Sequence, residues 1–487
     1  MKYSILTILL FCSLVTVTMA QKFNVTVTGK VCDKSGIGIP EVVINDGVNF
    51  VKTNKKGYYR ITADTMISKF ISISTPADYE LPQKNGIAEG FYMPLKIITK
   101  QKAKNKICDF RLNLRKKITD KFFYIAISDP QMLSEHDFNR WNTETVVDLK
   151  KEIEKLNKDD EVVGNTLGDL VFENVNMWMK YKKSIENMGM TIFNCIGNHD
   201  FYAKYPDLGN SKKGSSLYSD MYYHHFFGPT DYSYNIGKIH IITIKNIDYL
   251  GKGKYIERLT PAEISWLKKD LSFVPTGTTV FLNMHAAAFN KWDKSGNTRN
   301  AAELQSIFKD YKVHYFCGHT HYYENEEPSE NLYQHNIGAA CGAWWFGDVN
   351  RDGAPNGYLI VDVNGTDIKW HYKSTKDPIS YQFRIYKQGE FLTQKEYIVV
   401  NAWDYDEKCK MEWYEDGISK GDMDQFLDED ADYLKIMRNK KYGCHTAHLF
   451  RLKPSIEAKK IEIVFTNRFG EKYLQTIELN KQLAKLK

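Results

Sequence analysis

Five short apolar runs, each followed at once by polar side chains, are the feature that most restricts the fold of this chain. Each run is continuously apolar rather than alternating, which is typical of a buried parallel strand. The runs and their polar followers are FFYIAIS with Asp129 and Gln131, EVVGNTLG with Asp169, TIFNCIG with Asn198, His199 and Asp200, TVFLNM with His285, and VHYFCG with His319 and His321. Because α/β sheets bind ligands where their strands end, these side chains are expected to share one crevice. Their oxygen and nitrogen atoms suit hard or borderline divalent metals.

Helical periodicity between these runs favours an α/β domain over residues 118–375. Two series of apolar residues have helical spacing, namely Val146, Leu149, Ile153 and Leu156, and Trp178, Tyr181, Ile185 and Met188. A further helix is expected near 261–271, because Thr260 can cap it, Pro261 suits its first position and Glu263 completes a capping box. Strands that alternate with helices predict βαβ units and a mainly parallel sheet.

The flanking segments have the texture of all-β domains. Residues 21–117 contain alternating strands and glycine turns, and they resemble a transthyretin-like or carboxypeptidase-regulatory-like module. Residues 376–487 contain four further strand-like runs, with a loop-rich acidic segment expected around 421–433. The predicted fold class is therefore an α/β core between two β-sandwiches.

Residues 1–20 have the pattern of a secretory signal peptide. Lys2 supplies the positive end, an apolar stretch follows, and Thr18-Met19-Ala20 supplies a cleavage site of small residues. Cys12 does not fit a lipid-attachment motif, because the bulky Phe11 precedes it. No later apolar run is long enough for a transmembrane helix. We therefore expect an exported protein that is periplasmic or extracellular, or held at the cell surface.

Charge and cysteine content indicate neither nucleic acid nor a cysteine-based metal site. The chain has 66 basic and 60 acidic residues and no concentrated basic patch. Beyond residue 20, seven cysteines are scattered without paired spacing. Cys195 and Cys317 lie within core strands, where they are expected to act as small buried side chains. No protein partner is evident.

The order of the site motifs resembles that of the calcineurin-like metallophosphoesterase family. The motifs are SDPQ at 128–131, GDLV at 168–171, GNHD at 197–200, the strand-end His285, and GHTH at 318–321. The flanking all-β segments add a looser similarity to exported bacterial phosphoesterases with N-terminal and C-terminal sandwiches. The resemblance implies a four-layer α/β/β/α core and metal-dependent hydrolysis of a phosphate monoester or diester.

The resemblance also implies the identity of the metal ligands. Two divalent ions, among Mn, Fe, Zn or Mg, would share the bridging Asp169 and hold a hydroxide nucleophile between them. The remaining ligands would be Asp129, Gln131 and His321 for the first ion, and Asn198, His285 and His319 for the second. Gln131 stands where many members have His, so the first site is expected to hold its ion less tightly and to favour harder ions over Zn²⁺.

Catalytic roles follow from the same resemblance. His199 is expected to stabilise the transition state and protonate the leaving group, and Asp200 to orient His199. The acidic residue that often follows GD is displaced here to Glu173, which weakens the expected support of Asp169.

Aromatic and histidine pairs also occur outside the motifs. Trp344 and Trp345 either wall the substrate cleft or pack in the core. His224-His225 are expected to pack within a loop. His445 and His448 are expected on a strand surface.

Two other functions are compatible with the sequence. Two sandwiches and 14% aromatic residues would suit a surface glycan-binding or assembly protein with an inactive phosphoesterase scaffold. A nuclease would use the same metal chemistry, although the lack of a basic groove disfavours it.

Overall fold

The computed structural model describes residues 23–102, 106–158, 160–202, 219–437 and 442–479. The predicted signal peptide lies outside these described residues. Within them, no helix combines the length and the apolar character that spanning a membrane requires.

The N-terminal domain is a sandwich of two four-stranded sheets, as predicted. One sheet has the order β10-β1-β4, with β9 also paired to β1, and the other has the order β3-β2-β5-β8. Along β4, buried and exposed residues alternate because one face packs inward. The elements are β1 (Asn24–Cys32), β2 (Val43–Asn45), β3 (Phe50–Lys52), β4 (Tyr58–Asp64), β5 (Phe70–Ser74), β6 (Gln83–Lys84), β7 (Ile87–Ala88), β8 (Tyr92–Pro94), α1 (Leu95–Thr99), β9 (Lys106–Ile107) and β10 (Phe110–Arg111).

The central domain contains two facing sheets. Its strands are β11 (Lys121–Ile127), β12 (Glu161–Thr166), β13 (Thr191–Asn194), β14 (Tyr232–Ile236), β15 (Ile239–Thr243), β16 (Ile247–Gly251), β17 (Lys254–Glu257), β18 (Thr279–Ala286), β19 (Lys312–Gly318), β20 (Glu324–Ser329), β21 (Leu332–Asn336), β22 (Gly357–Asn364) and β23 (Asp367–Ser374). One sheet has the order β23-β22-β11-β12-β13-β7-β6, and the other has the order β14-β15-β18-β19-β21-β20. The hairpin β6–β7 of the N-terminal segment thus extends a sheet of the central domain, which the predicted boundary at 117 did not foresee.

Helices cover the outer face of both sheets. The helical segments of the central domain are α2 (Glu135–Arg140), a π-helical turn (Trp141–Thr145), α3 (Val146–Leu156), α4 (Met177–Ser184), a 3₁₀ turn (Asn198–Asp200), α5 (Met221–Phe227), α6 (Pro261–Leu271) and α7 (Ala301–Ile307). Leu149 of α3 packs with Ile125 beneath the first sheet, and Leu267 of α6 packs with Leu282 beneath the second. Tyr124 contacts Phe281 between the sheets, with ring centroids 5.3 Å apart. The predicted four-layer α/β/β/α order is confirmed.

The predicted helices are present, with one boundary difference. Helix α6 begins with the expected capping box, in which Thr260 and Glu263 satisfy each other's backbone N–H groups. Helix α4 ends at Ser184, so that Ile185 caps it and Met188 lies in the following turn. Both of these side chains are still buried. The apolar spacing therefore continued past the end of the helix, because packing rather than helicity requires these residues to be apolar.

The C-terminal domain is a second sandwich. Its elements are β24 (Arg384–Tyr386), β25 (Ile398–Asn401), β26 (Lys410–Glu415), β27 (Ile418–Asp422), β28 (Asp424–Glu429), α8 (Ala431–Ile436), β29 (His445–Leu452), β30 (Lys460–Thr466) and β31 (Lys472–Glu478). The two sheets have the orders β24-β25-β29-β28 and β27-β26-β30-β31. The expectation of a loop at 421–433 was wrong, because β28 is an edge strand whose side chains are largely exposed and therefore carry little apolar signal.

Candidate metal centre

Neighbouring strands of both inner sheets deliver the predicted ligands to one edge. Asp129 and Gln131 follow β11, Asp169 follows β12, and Asn198 follows β13. His285 is the penultimate residue of β18, while His319 follows β19 directly and His321 lies two residues further on. The three ligand-bearing strands of the first sheet pair in parallel, and so do the two of the second sheet, so that within each sheet their carboxyl ends lie at the same edge.

The backbone at these ligands is unusual. Five of the seven predicted ligands have positive φ angles, although none is glycine: they are Asp129 (48°), Gln131 (44°), Asp169 (49°), His319 (71°) and His321 (54°). This left-handed conformation costs about 1 kcal/mol or more for a non-glycine residue. Such a concentration of strained residues is typical of functional sites, where the surrounding fold holds the side chains in place.

Glycines in the motifs make room for the ligands. A Cβ atom on Gly197 would lie 2.2 Å from both the backbone nitrogen and Oδ1 of Asp169. One on Gly168 would lie 2.7 Å from Nδ1 of His285, and one on Gly318 would lie 2.5 Å from Oδ2 of Asp129. The glycine of each GD, GN and GH pair is therefore needed for close packing of the ligands.

The first group of ligands surrounds Asp129 and Asp169. Oδ1 of Asp129 is buried without a hydrogen-bond donor among the described residues, and it lies 3.6 Å from Nε2 of His321. Gln131 donates from Nε2 to Oδ2 of Asp169 over 2.8 Å. For Gln131 to bind a metal through Oε1, its amide must turn over.

The second group is centred on Nε2 of His285. This nitrogen lies 2.9 Å from Oδ1 of Asn198, 3.1 Å from Nδ1 of His319 and 3.4 Å from Oδ2 of Asp169. The other ring nitrogen, Nδ1, lies 2.8 Å from the carbonyl oxygen of Leu167, which can only accept. With the proton on Nδ1, several electron-pair donors face one another around Nε2. A cation among them would relieve this repulsion.

Other contacts of the histidines also suit metal ligation. Ligating histidines normally direct their second ring nitrogen to a carbonyl or a carboxylate. Nδ1 of His321 lies 2.6 Å from the carbonyl oxygen of Gly342. Nε2 of His319 lies 3.5 Å from Oε1 of Glu257, at the end of β17. Ligand atoms of Asp169, His285 and His319 also lie within 4.8 Å of one another. The residues present therefore fit a site for divalent cations.

Burial and neighbouring charges shift the pKa values of these groups. Burial alone would raise the pKa of Asp169, but His285 and His199 hold that pKa well below its usual value. Burial would lower the pKa of His285, yet the Asp169 carboxylate raises it to about 9. Without a cation, His285 is therefore held in its protonated form beside the Asp169 carboxylate, and a bound cation would take the place of the proton on Nε2.

His199 lies beside the ligands, but Asp200 does not contact its ring. The backbone N–H of His199 donates to Oδ1 of Asp169 over 2.8 Å, and its ring stacks on Phe172 at a centroid distance of 3.9 Å. Nδ1 of His199 lies 3.5 Å from Oε1 of Glu173. The carboxylate that faces this imidazole is therefore Glu173.

Asp200 has a structural environment instead. Its two oxygens accept from the backbone N–H groups of Gly197, Leu170 and Val171 over 2.8 to 3.1 Å. Burial and the nearby Asp169 raise the pKa of Asp200 to about 8. The sequence expectation that Asp200 orients His199 was wrong, because this side chain turns back to bind the loop after β12.

Trp344 and Trp345 lie in different environments, although they are neighbours in the sequence. Trp345 is only 3% exposed, and its Nε1 donates to the carbonyl oxygen of Pro130 over 2.9 Å. Of the two alternatives, Trp345 therefore takes the place in the core, and the cleft-wall alternative is wrong for this residue. Trp344 is half-buried and stacks on the His321 ring at 4.9 Å. It therefore supports a candidate metal ligand.

His224 and His448 lie at contacts between domains. His224 belongs to α5 rather than to a loop, and its Nε2 lies 3.1 Å from Asp220 and 3.0 Å from Nζ of Lys69. His448 is buried rather than on a strand surface, with Nε2 2.9 Å from Oδ2 of Asp352. Long-range pairing of this kind leaves no trace in local sequence. Glu257 was likewise missed, because it belongs to no recognisable motif.

Comparisons with known proteins agree with this architecture. The family model for calcineurin-like phosphoesterase matches residues 124–323, the model for the N terminal of calcineurin-like phosphoesterase matches residues 25–115, and the model for its C terminal matches residues 334–473. No curated protein matches the chain.

Two solved structures that match parts of this chain share little sequence with it. A dimetal phosphatase from Danio rerio is 12% identical, with 52% of this chain and 96% of that chain covered and a TM-score of 0.37. A purple acid phosphatase from yellow lupin (Lupinus luteus) seeds is 12% identical, with coverage of 69% and 67% and a TM-score of 0.39. These scores carry no inference about function. The three family models, however, match the N-terminal, central and C-terminal parts of the chain in order, and the chain belongs to the calcineurin-like phosphoesterase family.

Proposed function

We propose that this protein hydrolyses phosphate esters at a centre of two divalent cations. The observation that supports the proposal most directly is the crowding of electron-pair donors around Nε2 of His285, which has three ligand atoms within 3.4 Å. Family membership supports the same chemistry at a coarser level.

The ligand residues would divide into two sets. Asp129, Gln131 and His321 would hold one cation, Asn198, His285 and His319 would hold the other, and Asp169 lies between the two sets. Bound cations of this kind supply an activated water and neutralise the charge that develops on the phosphoryl group.

His199 would act on the leaving group. Its backbone is tied to Asp169, its ring is stacked on Phe172, and Glu173 faces Nδ1. These contacts hold the ring in one orientation, so Nε2 is the atom that would donate a proton to the leaving oxygen. Glu173 would stabilise the charged form of the ring.

A hydrolysis screen with chromogenic monoesters and diesters tests the proposal. The purified protein is assayed with Mn²⁺, Zn²⁺, Mg²⁺ or Fe²⁺ and with a chelator. Asp169→Asn should lower kcat by at least about a hundredfold, because the shared carboxylate is lost. Asp367→Asn, at the exposed first residue of β23, is the matched control and should leave kcat unchanged.

Two outcomes would contradict the proposal. Full activity in Asp169→Asn would exclude the shared carboxylate from the reaction. Absence of hydrolysis across the whole metal-supplemented panel, with folded protein, would instead favour the glycan-binding or assembly function with an inactive scaffold.

We also propose that the protein is exported after removal of residues 1–20. The positive end, apolar stretch and small-residue cleavage site of this segment support the proposal. N-terminal sequencing of the mature protein should begin at Gln21. A mature chain that retains Met1 in the cytoplasmic fraction would overturn it.

A further inference from the structure

We propose that a cavity between the central domain and the C-terminal sandwich binds an organic ammonium group. The cavity has a volume of about 700 Å³. It is lined by the loop after β18, by β20 and by β28 and β29, with Lys291, Trp292, Glu324, Glu326, Phe426 and His445 among the lining residues. Hydrolysis at the metal centre is not required for this proposal.

A buried carboxylate oxygen that accepts no hydrogen bond indicates that the ligand is positively charged. Glu324 is only 6% exposed, and its Oε1 accepts from the backbone N–H of Lys291 over 2.7 Å. Its Oε2 is buried and accepts no hydrogen bond from any residue that the structure describes. A buried carboxylate oxygen without a donor is costly, and a cationic ligand would supply the donor.

A second carboxylate increases the negative charge. Glu326 lies two residues further along β20, so it projects from the same face as Glu324. Lys291 Nζ lies 2.6 Å from Glu326 Oε2 and serves only that carboxylate of the two. Burial, together with the charge of Glu326, raises the pKa of Glu324 to about 8, so the carboxyl group must lose its proton to accept from a ligand, and a bound cation would favour that charged form. One lysine therefore faces two acids.

The other charges along the cavity are paired within the protein. Lys408 lies 2.9 Å from Glu327, and Asp406 lies 2.6 Å from Arg468. Asp352 lies 2.9 Å from His448. Glu407 lies at the exposed rim, 3.9 Å from Lys291 Nζ, so the buried unbalanced charge is confined to the acids on β20.

Aromatic side chains favour an organic cation over a metal ion. Trp292, Tyr405 and Phe426 line the cavity, and Trp292 is 53% exposed. Aromatic faces attract ammonium groups and contribute about 0.5 to 2 kcal/mol each. Among the described residues, no third histidine, cysteine or acidic side chain lies close enough to Glu324 and Glu326 to complete a group of three around one metal ion.

Titration calorimetry and the fluorescence of Trp292 test the proposal. The probes are choline, ethanolamine, the uncharged choline isostere dimethylbutanol, and calcium chloride. We expect choline or ethanolamine to bind and dimethylbutanol to bind at least about tenfold more weakly. Glu324→Gln and Trp292→Ala should each weaken binding by about tenfold or more. Asp367→Asn, at an exposed residue that does not line the cavity, is the control and should bind as the wild type does.

The remaining arms separate this site from the metal centre. Chelator-treated protein and Asp169→Asn should bind the ammonium probe unchanged, whatever their hydrolytic activity. Equal binding of the charged and uncharged probes, a response to calcium alone, or no binding by any ammonium probe would each overturn the proposal. Because Trp292 is exposed, Trp292→Ala should fold even if Glu324→Gln does not.

Discussion

At the scale of single residues, the two acids near His199 have different roles: Glu173 is expected to support catalysis and Asp200 to support the folded state. Glu173 faces the His199 ring, whereas Asp200 accepts hydrogen bonds from the backbone. We expect Glu173→Gln to lower kcat by about tenfold with unchanged metal content, because the charged form of the imidazole loses its partner. Steady-state kinetics with metal analysis would check this, and an unchanged kcat would refute it.

Asp200→Ala should affect mainly the folded state. Removal of this carboxylate leaves the buried N–H groups of Gly197, Leu170 and Val171 without their acceptor. The free energy of unfolding should fall by about 2 to 4 kcal/mol. Urea denaturation measures the change, with Asp367→Asn as the neutral control. A fully stable variant with reduced kcat would restore the orienting role that the sequence predicted.

Gly197 tests the close packing of the ligands. Gly197→Ala places a Cβ atom within 2.2 Å of Asp169, so the carboxylate must move and metal binding should fall by at least about tenfold. Gly164→Ala is the control, because its Cβ would come closer than 3 Å only to the flexible Met190 side chain and would lie at an ordinary contact distance of 3.5 Å from the Ile125 carbonyl oxygen. Equilibrium dialysis with Mn²⁺ distinguishes the two variants. Equal metal content would show that the site tolerates the extra methyl group.

The loop with Trp344 and Trp345 acts as one element that supports the first group of ligands. Trp345 holds the Pro130 carbonyl between Asp129 and Gln131, and Arg140 of α2 lies over its ring at 5.4 Å. Trp345→Ala should therefore weaken the site of Asp129, Gln131 and His321 by about tenfold and leave the second site occupied. Metal analysis after dialysis should find one ion where the wild type holds two. Retention of both ions would contradict this.

Helix α8 of the C-terminal sandwich packs against the loop that carries Trp344 and Trp345. Asp430 caps the helix by accepting from the N–H groups of Asp432 and Tyr433. Tyr433 is fully buried and packs with Ala343 and Val349. The C-terminal domain therefore buttresses the loop that carries Trp344, which gives the sandwich a role in shaping the metal centre.

A buried histidine pair links acidity to the stability of the whole molecule. Nδ1 of His314 lies 3.0 Å from Nε2 of His335, beneath the Arg468 guanidinium of the C-terminal domain. Burial, and then the charge of Arg468, lowers the pKa of His314 to about 3. Burial and His314 lower that of His335 well below its usual value. Both rings are therefore neutral in the folded protein.

The sign of the pH dependence follows from these shifts. A histidine with a lowered folded-state pKa contributes its full stability above about pH 6.5, where the unfolded chain is also neutral. Below about pH 6.5, each ring should lower the free energy of unfolding by about 1.4 kcal/mol for every pH unit, down to about pH 3 for His314. Urea denaturation at several pH values should show a shallower slope for His335→Gln than for the wild type. Identical slopes would refute the assignment.

The sequence alone determined the strand ends, the motif glycines and the order of the domains. These features are local, because a buried strand needs an apolar run, a helix needs a capping box, and a close contact needs glycine. The five runs therefore indicated both the α/β core and the edge at which the ligands lie.

Only the tertiary structure decided which side chains meet. Glu173 rather than Asp200 faces His199, Trp345 packs in the core, and Glu324 closes an interdomain cavity with Glu326. Such pairings join residues whose contacts depend on chain reversals and on domain packing. The spacing of residues in a sequence does not specify the direction in which a side chain points. At this site, that direction is set by the left-handed backbone conformation of the ligands and by the packing of the two sandwiches against the core.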